Sequence, residues 1–192
     1  MKNASASLLA LLSLSLAAPV AAAPAPAPGA VDVTGAQIRQ MLATAPNRSI
    51  DRLTKSVDIG AYVVSVNVQH RVPGSGVGSG RGDTPVRHRG VTEIYYVLSG
   101  KGTFVTGTAM KDPQVLPVRP AQPNGENAAG PGDRGAFEGP TVTRTLVAGD
   151  VVFVPPMTPH LLKDSDGAFD YLVFRVDPDH VIPTPFTSTD LK

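Results

Sequence analysis

The sequence predicts an all-β barrel with one short helix near its N-terminus. Segments 61–71, 91–98 and 169–176 and the run Val151–Val154 are rich in Val, Ile, Tyr and Phe and alternate along their length, as strands on a half-buried sheet do. The 192 residues include 19 Gly and 19 Pro but only 17% charged residues, a balance that suits a turn-rich β domain better than a helical one. Cysteine is absent, so no disulfide holds the domain and no thiolate serves as ligand or nucleophile.

Residues 1–22 read as a secretory signal peptide. Lys2 supplies the positive charge, residues 4–16 an apolar stretch too short to span a bilayer comfortably, and Val20-Ala21-Ala22 a small-residue cleavage pattern. The expected location is therefore secreted or periplasmic. Residues 23–32 form a Pro/Ala-rich linker, stiff and solvated, and residues 33–192 a single domain. Thr34-x-x-Gln37 matches a capping box, and Ile38, Met41, Leu42 and Ala45 share one face of the helix it starts; Pro46 stops it. Such a helix covers the outside of the barrel or shields a subunit interface.

In the strand run 61–71, alternation groups Val64, Val66, Val68 and His70 on one face. His70 is then either an interior group or a strand-end histidine bonded to backbone or water. The glycines from Gly74 to Gly82 precede no helix pattern, so they read as a hairpin loop rather than a phosphate cradle, and the Arg81-Gly82-Asp83 tripeptide within them carries no weight. In 91–98, Glu93, Tyr95 and Val97 share one face and Ile94, Tyr96 and Leu98 the other. A carboxylate beside Val97 in a half-apolar interior needs a charge partner or a cation. Residues 107–140 are dense in Pro and Gly and read as a long loop, either a lid bringing Arg119, Arg134 or Phe137 to a substrate or a plain decoration. In 169–176, Tyr171, Val173 and Arg175 share a face, and alternation alone does not say whether it points inward. His180 is expected on a surface tail.

His88, Glu93 and His160 are the candidate metal ligands, two imidazoles and one carboxylate in two separate segments. The first segment is Gly80, five residues, Val86-Arg87-His88, four residues, Glu93, six residues, Gly100; the second is Gly149, five residues, Pro155-x-Met157, two residues, His160, three residues, Asp164. Together they resemble the paired motifs of the cupin superfamily, with Val86 where the first histidine stands, Met157 for a glycine and Asp164 for an asparagine. The resemblance implies a cupin β-barrel, a jelly-roll-like double-stranded β-helix. It also implies one divalent transition metal, with Fe, Mn, Cu, Zn and Ni all open. Three ligands leave coordination positions free for substrate or dioxygen, unless His70 replaces the missing histidine.

The expected function is a metal-dependent oxidoreductase or oxygenase acting on a small organic or carbohydrate-type substrate, with Tyr95, His70 and Arg175 as acid-base or orienting groups. The alternative is a non-catalytic extracytoplasmic binder of a small ligand with a degenerate metal site. Removing residues 1–22 takes away one base, Lys2, and no acid, leaving 16 Lys and Arg against 16 Asp and Glu. With basic residues scattered as well, no nucleic-acid partner is expected, nor a membrane after cleavage. A barrel without disulfides gains from burial between subunits, so a homodimer is expected.

Overall fold

The computed structural model describes residues 29–45, 49–73 and 84–191. The signal-peptide reading, most of the linker, Pro46 and the Gly-rich loop with its Arg-Gly-Asp tripeptide and Gly80 lie outside the described residues.

Helix α1 spans Gly35–Ala43, and its capping box is formed as read: the Thr34 hydroxyl accepts from the Gln37 amide while the Gln37 side chain accepts from the Thr34 amide. Among the described residues ten strands follow: β1 Ile50–Asp58, β2 Val63–Arg71, β3 Val86–His88, β4 Thr92–Ser99, β5 Lys101–Val115, β6 Gly132–Val147, β7 Val151–Val154, β8 His160–Ser165, β9 Phe169–Asp177 and β10 Phe186–Thr187. Six make one sheet in the order β10-β1-β2-β9-β4-β7, and β3-β6-β5-β8 make a second that closes on itself where Val86 meets His160. This is the all-β barrel with a short N-terminal helix that the strand patterns predict.

The structure decides which face of β2 turns inward. Val63, Ser65, Asn67, Gln69 and Arg71 are buried, whereas Val64, Val66 and His70 are half-buried. Val68 and Val66 pack with Met41, Ile38 and Leu42 of α1 and with Leu172, so the valine face meets the helix. The amphipathic helix needs an apolar surface to cover, and these valines supply it. Consequently His70 lies away from the barrel interior, its Nδ1 2.6 Å from Asp170 Oδ1, and is neither a replacement ligand nor a member of the site.

The expected long loop over 107–140 is corrected. Strands β5 and β6 pair antiparallel from Lys101↔Val147 to Val115↔Asp133, leaving only 116–131 as a connection. Pro113 and Pro140 fall in the two steps where the register shifts, so no ladder hydrogen bond is asked of them. Gly107 is flat against Phe137, where a Cβ would sit 2.5 Å from the ring. Arg134 and Phe137 are thus strand residues, and Arg119 is an exposed residue of the connection.

Candidate metal centre

Three strands bring the motif residues together. Glu93 lies on β4 between Arg175 of β9 and Val154 of β7, and His160 opens β8 opposite Val86 and Thr106. His88 ends β3 opposite Gly132, where an added Cβ would come 3.3 Å from its Nδ1; the glycine makes room for the ring. The turn between β7 and β8 is tied to β3, because the Met157 amide donates to the His88 carbonyl at 2.9 Å. Met157 has φ +64°, a left-handed conformation suited to the glycine of the motif it resembles.

The ligand atoms converge. Glu93 Oε1 is 3.6 Å from His88 Nε2, Glu93 Oε2 is 3.2 Å from His160 Nε2, and one ligand atom from each residue lies within 4.8 Å of the others. All three side chains are buried, Glu93 to 1% exposure. The His160 Nδ1 sits 2.9 Å from the Thr158 carbonyl, which fixes the tautomer that carries a proton on Nδ1 and turns the Nε2 lone pair to the centre. Burial pulls the His88 imidazole down to about 4, with Arg175 and His160 adding to the effect against Glu93, so the ring is neutral near pH 7. Burial pushes the Glu93 carboxyl up, but His88, Arg175 and the neighbouring His160 outweigh it and hold the group well below the usual range. Two imidazole nitrogens and an ionised carboxylate suit a divalent transition metal.

Arg175 is the second feature of the centre. Its Nε donates to Glu93 Oε1 at 2.8 Å and its Nη2 to Asp51 Oδ2 at 2.9 Å, with the side chain 2% exposed. The open register of 169–176 is thereby settled: Tyr171, Val173 and Arg175 all face inward. Tyr95 donates its hydroxyl to Glu93 Oε2 at 3.1 Å, and burial, reinforced by Glu93, raises the phenol well above its ordinary value, so it stays protonated. Tyr95 stacks on Tyr171, and Phe104 stacks on His160 with centroids 6.0 Å apart, so the apolar core forms one wall of the centre.

A cavity of about 170 Å³ contains His88, Glu93, His160, Tyr95 and Arg175, walled by Val86, Phe104 and Leu162. A wider hollow of about 800 Å³ shares Asp51, His88, Leu116, Ala129 and Arg134 with it and bounds the 116–131 connection, a route from solvent to the centre. A third, apolar hollow of about 590 Å³ lies on the helix-covered face of the sheet around Val64, Val66 and Phe174, with Lys55 its one charged group. Arg71, Asp51 and Gln69, which also line the inner cavity, escaped the sequence reading. The signal was present in β2, whose second face is polar after Val63: Ser65, Asn67, Gln69 and Arg71. His180 is exposed, 3.5 Å from Asp58, and far from this chemistry in role.

No family model matches the chain, and no curated protein does. Among solved structures, oxalate decarboxylase from Lactobacillus farciminis, in its formate complex, is 13% identical with a TM-score of 0.43, covering 70% of this chain. This chain spans only 30% of that enzyme's length. A Bacillus halodurans protein is also 13% identical at 0.43, covering 82% of this chain and 89% of its own. A Klebsiella pneumoniae protein with a double-stranded β-helix domain is 14% identical at 0.43, covering 75% and 89%. Such distant likenesses say nothing of substrate or reaction. What this chain shows by itself is a β-barrel that closes around His88, Glu93 and His160.

Proposed function

We propose that this chain is an exported cupin that holds one divalent transition metal on His88, Glu93 and His160 and acts as an oxidoreductase on a small organic or carbohydrate-type substrate. The convergence of two imidazole Nε2 atoms on one buried carboxylate carries the reading. When bound, the ion supplies Lewis acidity and open positions for a substrate oxygen or dioxygen. The protein's share is positional. Arg175 fixes Glu93 through Oε1, Tyr95 keeps its proton and steadies Oε2, and Thr158 orients His160. Phe104 and Leu162 keep the inner cavity apolar on one side, which limits water at the centre.

Elemental analysis of protein purified without chelator tests the metal. The expected result is one equivalent per chain, lost in both His88→Ala and His160→Ala. A wild-type protein that stays metal-free after reconstitution with Mn, Fe, Ni, Cu and Zn salts refutes it. One observation favours a second reading: the Arg175 guanidinium already satisfies Glu93 Oε1, so Glu93 has a charge partner without any ion. A metal-free protein that still binds a small ligand would be the non-catalytic binder.

Export rests on residues 1–22, and sequencing of the mature N-terminus, expected at Ala23, checks it. A homodimer would use the edge of the six-stranded sheet. Edge strand β7 exposes Val151 and Phe153, the latter at 68%, beside exposed Tyr96 and half-buried Ile94 of β4.

A further inference from the structure

Arg71 is a buried cation without a carboxylate. Its side chain is 9% exposed, its Nε donates to the Tyr171 hydroxyl at 2.9 Å and its Nη2 to Gln69 Oε1 at 3.2 Å, both neutral acceptors. It makes no ion pair among the described residues, and its Nη1 is buried with no partner. Asp51, the carboxylate whose charge it feels, is already bonded to Arg175 and Asn67. The Nη1 of Arg175 is likewise buried and without a partner. Both arginines line the same inner cavity as His88, Glu93 and His160.

A buried guanidinium nitrogen left without an acceptor is costly, and a group from outside the chain would complete it. The missing group is an anion. The cavity agrees, since among the described residues Arg71, Arg134, Lys163 and Arg175 stand on its wall against Asp51 and Glu93. Size narrows the choice: about 170 Å³ is roughly six waters at ~30 Å³ each, room for an acid of a few carbon atoms. Tyr171 holds the arginine from below, its ring centroid 5.9 Å from the Arg71 Cζ, so the free donor is fixed before any ligand arrives.

We propose that the ligand of this cavity is a small organic carboxylate, received at the free Nη1 of Arg71 with the Nη1 of Arg175 as second donor. This rests on the reading of the cavity as a ligand site and narrows its substrate class. The remainder of the molecule lies toward His88 and His160, so the two arginines select for charge while the centre meets the reacting end.

The test is calorimetric titration of the full mature protein with acetate, malonate and succinate, with their neutral amides and with inorganic phosphate. At least one acid is expected to bind while its amide does not. Arg71→Met, and Arg71→Gln, which keeps a donor for the Tyr171 hydroxyl, should weaken that acid by about thirtyfold or more, the usual penalty for truncating a buried charged hydrogen bond. Both variants should retain wild-type metal content. Acids that bind no better than amides, equal affinity in both variants, or phosphate outbinding every acid would overturn the proposal. The metal reading fails separately: a metal-free wild type with Arg71-dependent carboxylate binding leaves this inference standing and removes only the oxidoreductase.

Discussion

Burial holds the His88 imidazole at about 4 in the folded chain against 6.5 when solvated, so acidifying metal-free protein favours the unfolded state long before carboxylates titrate. The direction follows from proton counts. Between these two values the unfolded histidine is protonated and the folded one is not, so stability rises with pH across the window and is lost as pH falls through it. With the 6.5 and 4 values the loss attributable to His88 is about 2 kcal/mol at pH 5 and about 3 kcal/mol at pH 4, relative to neutral pH. The groups with depressed values, Glu93, Asp51 and Asp133, behave otherwise: their contribution is complete above the ordinary carboxylate range and fades only as pH falls below it. In the range from 6.5 down to about 4.5 the difference between wild type and a His88 variant therefore isolates this imidazole. Urea unfolding at half-unit pH steps, on chelator-treated wild type and His88→Gln, measures it. The wild-type curve should fall away from the variant's across that range, and a saturating divalent metal should flatten it at the upper end, because the ion holds the ring unprotonated. Parallel curves for the two proteins would refute the argument.

Replacing Arg175 by Met strips Glu93 and Asp51 of their shared cation and should destabilise the protein by about 3–5 kcal/mol in urea unfolding, whereas a loss under 1 kcal/mol would mean the pair is solvated. Met157→Gly relieves a left-handed non-glycine residue at an exposed turn and should raise the unfolding free energy by about 0.5–1 kcal/mol, after the greater freedom of unfolded glycine is subtracted. A lower stability would show that the Met157 side chain is needed there. Phe153→Glu places a charge on the β7 edge and should convert the dimer to monomer in sedimentation analysis; a wild type that already sediments as a monomer ends that proposal.

The 91–98 strand was legible because its pattern is local: β-branched and aromatic residues at period two, with Glu93 on the face of Tyr95 and Val97, all three buried as read. The capping box was legible for the same reason, since Thr34 and Gln37 satisfy each other within one turn. The 107–140 segment misled because prolines and glycines report local breaks, and here the breaks are bulges inside two long paired strands. Alternation in β2 was legible as alternation, and it left the inward face open. An apolar row and a polar row were both present, and periodicity alone does not choose between them.

What is written in the chain is therefore the periodicity of each strand, the helix start, and the spacing that sets His88, Glu93 and His160 in two motifs. Which face of β2 and β9 turns inward depends on where α1 docks and which sheet closes over which, and those are contacts between residues distant in sequence. Only folding could show that Arg175 bridges Asp51 and Glu93, that His70 is spent on Asp170, and that Arg71 ends in the cavity with a donor to spare. The physical reason is that a strand's pattern specifies two faces equally well, and the choice between them is made by the partner that buries one of them.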